Sequence, residues 1–381
     1  MIKIRAALLS LGPASAVGLA RFSYGLFVPA MRADLGWSLA KAGSLTAANG
    51  LGYLAGAALT GLVVRRLGPG RTFRTGMVLT VVGLAGGALG GYPGLLLTRA
   101  LAGIACALVF VTGSVLAARL ATAAGSAAPI AIYFAGAGLG VAGCGAVLPV
   151  LLDGHPERWP VGWLVLAGGA ALATVGSWRV AGAGTGAEVG PGTGWQGLGR
   201  WWPLGVVYLL FGAGYIAYLT FLSAYLAARQ SSMAVLVGAW VLLGVAAVSA
   251  PAVWSRPLAA WPGARPLAAL LASVATAAAL PLGCLSVPTL ALSAAGFGLT
   301  FMMVPAGVTT LLRAAAPGKD PTSVLGGLTV LFATGQMLGP WLAGLIADQT
   351  TPAAALAWTA VLCGLAAGCA LWTTCLPRGA G

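Results

Sequence analysis

Twelve times along the chain a run of twenty or more mostly apolar residues is followed by a short interval with charged or turn-forming residues. The runs fall at 7–31, 41–64, 72–91, 94–118, 127–151, 160–180, 203–227, 232–255, 265–285, 288–312, 322–347 and 353–376. About twenty apolar residues cross the hydrocarbon core of a bilayer as a helix. A backbone in lipid must satisfy its own hydrogen bonds, so runs of this length are read as helices. With 59% of its 381 residues hydrophobic and 7% charged, the chain cannot cover a soluble surface. The spans predict an all-α membrane protein with twelve transmembrane helices in two six-helix bundles, short loops and no separate soluble domain. The first run follows Met1–Arg5 in the manner of a secretory signal, but its length favours a retained span.

The formal net charge is +14. In a soluble chain this would point to nucleic acid; here the positions of the charges point to topology instead, and no nucleic-acid partner is expected. With the N-terminus inside, fourteen basic residues face the cytoplasm: Lys3, Arg5, Arg65, Arg66, Arg71, Arg74, Arg119, Arg179, Arg200, Arg256, Arg265, Arg313, Lys319 and Arg378. Four lie outside: Arg32, Lys41, Arg158 and Arg229. Lys and Arg collect in cytoplasmic loops, so both termini are expected on the cytoplasmic side. Six cysteines (106, 144, 284, 363, 369 and 375) lie in or at the ends of apolar runs without metal-ligand spacing, and are expected as free thiols. Neither metal nor cofactor is expected.

The glycine-rich interval AGAGTGAEVGPGTGWQGLGR separates the sixth and seventh spans and reads as a flexible linker. It divides the chain into a first bundle (1–180), a cytoplasmic linker (181–202) and a second bundle (203–381). The halves repeat. A shift of 194 puts Tyr24 on Tyr218, Phe27 on Phe221, Arg71 on Arg265 and Arg119 on Arg313. A shift of 199 puts Gly136, Gly140 and Gly145 on Gly335, Gly339 and Gly344. Parallel repeats of this kind place a binding site between the halves, near the midplane.

Three stretches carry a family resemblance. Gly61-Leu-Val-Val-Arg-Arg66-Leu-Gly68-Pro-Gly-Arg71, between the second and third spans, looks like the loop signature of the major facilitator superfamily. It departs from that signature at Arg65, where the family usually has Asp. Arg99-Ala-Leu-Ala-Gly103 is similar to the family's RxxxG signature. Gly136-Ala-Gly-Leu-Gly140 resembles an antiporter-type signature but lacks its proline, which the eleventh span carries as Pro340. The stretch ARFSYGLFVPAMRADLGWSLAKAG resembles the YbfB/YjiJ-type bacterial branch, distantly similar to organic-anion carriers. The resemblance implies a monomeric carrier in the bacterial inner membrane, working by alternating access. It also implies a gating or coupling role for Arg99.

The residue that most needs explaining is Arg21, near the middle of the first apolar run. An arginine at a helix centre costs about 2.5–3.5 kcal/mol on insertion scales, and the first acid in the chain is Asp34. It shares a helix face with Tyr24, Gly25 and Val28. Either it binds an anion in the central cavity, or it bonds to neighbouring helices and fixes their packing. In the seventh span Tyr208, Phe211, Tyr215, Tyr218 and Tyr225 form a stripe. The 194 shift sets Arg21 against Tyr215, so guanidinium and phenols would face one site, unless the stripe is an aromatic seam. Asn49 and Gln336 are large polar groups near mid-depth that either line the site or join helices. Arg99 either snorkels outward or gates.

No Asp, Glu, Lys or His lies deep in a span, and an arginine does not release its proton. Coupling is then left to a proton carried by the substrate, to Asp34, or to exchange against a counter-anion. The expected substrate is a small anion, an organic acid foremost. The alternative is efflux of hydrophobic or amphipathic compounds. An enzyme is not expected, because no carboxylate pair, His cluster or nucleophile–base pair appears at either membrane face.

Overall fold

The computed structural model describes residues 1–182, 198–315 and 322–375. Lys319, Arg378 and most of the expected linker (183–197) lie outside the described residues. Among the described residues, eleven helices are long and apolar enough to cross a bilayer. They include α1 (Ile2–Leu35), α4 (Tyr92–Ala124), α5 (Ala128–Leu152) and α10 (Val287–Ala314). The others are α6 (Trp159–Ala181), α7 (Trp202–Ala228), α8 (Met233–Ala260), α9 (Arg265–Gly283), α11 (Thr322–Gln349) and α12 (Ala353–Cys375).

The remaining helix, Leu39–Gly86, is two spans. Its 48 residues would reach about 72 Å if straight, more than twice a bilayer core. It breaks at Gly68, whose φ of 76° only glycine adopts without strain, and Pro69 restarts it. The two parts are α2 (39–67) and α3 (69–86). Their glycines show the fold-back. Gly52 lies against Ala100 and Gly56 against Ile104, whereas Gly76 lies against Val109 and Gly83 against Ala102. Along α4 the partner numbers rise for α2 and fall for α3, so the two run in opposite directions. Twelve spans result among the described residues.

The internal repeat is visible as packing. Gly136 and Gly140 of α5 sit on Ser10 and Ala14 of α1. Gly335 and Gly339 of α11 sit on Leu209 and Ala213 of α7, each pair displaced by 199 (10 to 209, 14 to 213). Gly103 of α4 meets the Asn49 carbonyl, and Gly298 of α10 meets the Leu243 carbonyl (49 to 243, a shift of 194; 103 to 298, a shift of 195). A Cβ at any of these glycines would collide with backbone, so the small residue is what lets the helices approach.

The halves meet along α1–α7, α2–α11 and α5–α8. Gly25 packs on the Leu219 carbonyl, Gly43 on that of Pro340, Gly344 on Ala40 and Gly145 on Trp240. These contacts lie toward the face opposite the one bearing the termini. There α7 is buried on every side from Gly214 to Leu226, whereas nearer the termini Val206, Leu209, Leu210 and Ala213 are partly exposed. The seam is therefore shut at the opposite face and loosens toward the terminus-bearing face. Asp348, at the end of α11, fastens the shut side. Its carboxylate accepts from the Leu39 and Ala40 amides at 2.7 and 2.9 Å, capping the N-terminus of α2 from the other half. Asp348→Asn weakens this latch. Charge-assisted bonds contribute about 1.5–3 kcal/mol, so spin labels across the opposite face should report a population of open molecules roughly tenfold or more above wild type. An unchanged distance distribution would show that the latch does not hold the face shut.

Candidate functional site

Arg21 projects from an irregular part of α1. Residues Ala14–Phe22 form a π-helical stretch between Pro13 and Ser23, where the Ser23 amide bonds back to the Gly18 carbonyl at 3.2 Å. A π-helical stretch of this kind turns the face that follows and recurs at functional sites. Arg21 is 6% exposed. Its Nη2 donates to Oε1 of Gln336 at 2.5 Å, and Nε2 of Gln336 donates to Oη of Tyr215. The guanidinium carbon lies 4.6 Å from the centre of the Tyr53 ring. Its Nε has no hydrogen-bond partner among the described residues. Four helices from both halves thus converge: α1 and α2 supply Arg21 and Tyr53, α7 and α11 supply Tyr215 and Gln336.

An aromatic wall continues from Tyr215. Phe211 stacks on it at 4.7 Å, Phe332 at 5.9 Å and Phe301 at 6.0 Å between ring centres. Phe301 opens a short 3-10 turn, Phe301–Met303, that interrupts α10, and its ring meets Phe22 of α1 edge-on at 5.6 Å. Apolar surface therefore lies beside the guanidinium.

The electrostatics are one-sided. The described acids are Asp34, Asp153, Glu157 and Asp348, all toward the opposite face. The ion pair seen among the described residues is His155–Glu157, in a loop. Among the described residues the charge of Arg21 is met by an amide oxygen, a ring face and the side chains of Cys106 and Tyr215 rather than by a carboxylate. A buried charge without a counter-charge is costly, and a guanidinium with an unused N–H can take a carboxylate.

Arg99 is 3% exposed and does not snorkel. Its Nη1 donates to the Ala20 carbonyl and its Nη2 to the Arg21 carbonyl at 3.3 Å. Its guanidinium rests 4.9 Å from the Tyr24 ring and 5.6 Å from that of Trp163. The last carbonyls of a helical segment need donors, and those of the π-helical stretch find them on Arg99. It holds the backbone that presents Arg21.

The other residues singled out in the sequence have their polar atoms engaged outside the Arg21–Gln336–Tyr215 triad. Asn49 donates to the Arg99 carbonyl at 3.0 Å, joining α2 to α4. Tyr24 donates to the Ala42 carbonyl at 2.8 Å. Tyr218 is 2.7 Å from Ser293 Oγ, whose hydrogen goes to the Ala277 carbonyl, so Tyr218 is the donor. Tyr24 with Arg99 and Tyr218 with Ser293 are repeat-related pairs (24 to 218, 99 to 293, both a shift of 194). The second half fills this position with a neutral hydroxyl. Asp34 accepts from Trp159 Nε1 at 2.7 Å. Tyr53, Phe301, Phe332 and Trp163 were not singled out from the sequence. Tyr53 alone had a signal, one helical turn after Asn49.

No curated protein matches the chain by sequence. Solved structures share its fold along nearly the whole length. The nucleoside transporter NupG is 14% identical at a TM-score of 0.72, with 98% of each chain covered. A D-xylose-proton symporter is 15% identical at 0.70, covering 96% of this chain and 95% of that one. A bacterial homologue of the human drug peptide transporters PepT1 and PepT2 is 15% identical at 0.72, covering 99% and 98%. At such identities the likeness is one of fold. Residues 13–376 match the family described as the uncharacterised MFS-type transporter YbfB, and the chain belongs to that family of major facilitator transporters.

Proposed function

We propose that this transporter moves a small organic anion, a carboxylate with an apolar body, by alternating access around Arg21. The observation that carries the reading is a buried guanidinium that bridges the halves through Gln336 and has, among the described residues, neither a partner for its Nε nor a carboxylate. The Gln336 oxygen stands where a substrate carboxylate oxygen would sit. Substrate takes Arg21 from Gln336, its second oxygen accepts from Tyr215, and its apolar part lies on Phe301 and Phe332. The tie between the halves is thereby exchanged for a tie through the substrate. Arg99 acts as a positioning residue by holding the π-helical stretch.

The excess of Lys and Arg on the terminus-bearing face supports cytoplasmic termini in a bacterial inner membrane. The glycine-rich stretch supports a linker between bundles that rock against each other. Because Arg21 keeps its proton, a coupled proton rides on the substrate or at Asp34; exchange against a second anion needs none. The aromatic wall favours a second reading, efflux of hydrophobic or amphipathic compounds, with Arg21 in a packing role. Counterflow in proteoliposomes separates the two. Carboxylate uptake driven by internal carboxylate supports the first, and transport confined to neutral or cationic amphipaths overturns it.

A further inference from the structure

Beside the helices that carry the transport site, α3 and α6 leave a groove of about 400 Å³ toward the terminus-bearing face. Leu67, Arg71, Arg74, Val78, Leu79 and Trp178 line it. One end is cationic. Nε of Arg74 donates to the Trp178 carbonyl at 2.8 Å, and its guanidinium lies 5.0 Å from the Trp178 ring centre, which fixes the plane of the fork. Arg71, three residues earlier on the same face, is exposed, as are Arg65 and Arg66 just before the Gly68 turn. The described carboxylates all lie at the opposite face, so this cluster finds no counter-charge among the described residues. The other end is apolar and unburied: Val78 is 43% exposed, continuing from Leu67 at 40% and Trp178 at 42%.

Charge at the interface with an apolar strip leading toward the bilayer centre is the complement of one lipid class. We propose that the groove binds an anionic phospholipid, with its phosphate on Arg71 and Arg74 and one acyl chain along Val78 and Leu79. Arginine forks suit phosphate oxygens. Basic surface at this depth attracts anionic headgroups. A free phosphate would use the arginines and leave the strip bare. The inference stands apart from the transport reading, since none of these residues touches Arg21, Gln336 or Tyr215.

Native mass spectrometry of the purified full chain, titrated with phosphatidylglycerol or phosphatidylcholine, tests it. Wild type should retain phosphatidylglycerol several-fold better. Arg71→Gln with Arg74→Gln should bring retention down to the phosphatidylcholine level, and Arg158→Gln at the opposite face should not. Val78→Trp fills the strip without touching the charges and should also lower retention. Equal retention of both lipids, an equal loss in Arg158→Gln, or displacement of the lipid by millimolar inorganic phosphate would each overturn the proposal.

Discussion

Arg21→Ala is expected to remove most of the proposed anion binding and uptake while the helices stay assembled. Removing one member of a buried charge pair costs about 2–5 kcal/mol, which for the substrate complex is a loss of roughly 30-fold to more than a thousandfold. The folded state loses much less. Arg21 contributes a bond to Gln336, a ring contact and polar contacts with the neutral side chains of Cys106 and Tyr215, and taking away a buried charge that lacks a carboxylate removes a desolvation penalty. The melting temperature of the variant in detergent should therefore hold or rise as binding disappears. Arg21→Lys keeps the charge but not the planar fork, and should fall between. A packing role predicts the reverse pattern: lower stability, with transport kept in the molecules that fold.

Gln336→Glu separates the same alternatives from the other side. The substitution is nearly isosteric and puts a carboxylate within bonding distance of Arg21, where the amide oxygen stands at 2.5 Å. Tyr215 then donates to the second oxygen, so no polar atom of the triad is stranded. The built-in anion competes with substrate. Binding should fall by roughly 30-fold or more, and the melting temperature should rise because the guanidinium gains its counter-charge. Gln336→Ala makes the complementary case: it removes the internal ligand, so anion affinity should be kept or increased. Calorimetric titration of the three proteins checks both. Substrate affinity in Gln336→Glu equal to wild type would mean that the anion does not bind at Arg21.

Much of this architecture was legible in the residues. Span positions follow from hydropathy and agree with the helices to within about six residues at each end. Arg21 was conspicuous because a charge stood alone in an apolar run, and the 194 offset set it against Tyr215, which it reaches through Gln336. The rest depended on tertiary packing. Gln336 is 315 residues from Arg21, and no local pattern distinguishes an amide that meets a guanidinium from one that joins two helices. Tyr24, Asn49 and Tyr218 place their polar atoms on the Ala42 carbonyl, the Arg99 carbonyl and Ser293, partners set by the π-helical stretch in α1 and the close glycine contacts rather than by any local pattern. Arg99 was ambiguous for the same reason: nothing in Ala14–Phe22 announces a π-helix with carbonyls to offer. Gly68-Pro69 did mark the hairpin between α2 and α3, where the left-handed glycine is found.

The guanidinium of Arg21 is the proposed anchor of the substrate. The most direct measurement is the thermal unfolding of purified wild type and Arg21→Ala against a panel of acidic, neutral and cationic metabolites, because a ligand that binds the folded state stabilises it by mass action. One or more carboxylates should raise the midpoint of wild type and leave that of Arg21→Ala unchanged. Stabilisation by a cation with none by any anion, or equal stabilisation of both proteins by the same carboxylate, would contradict it.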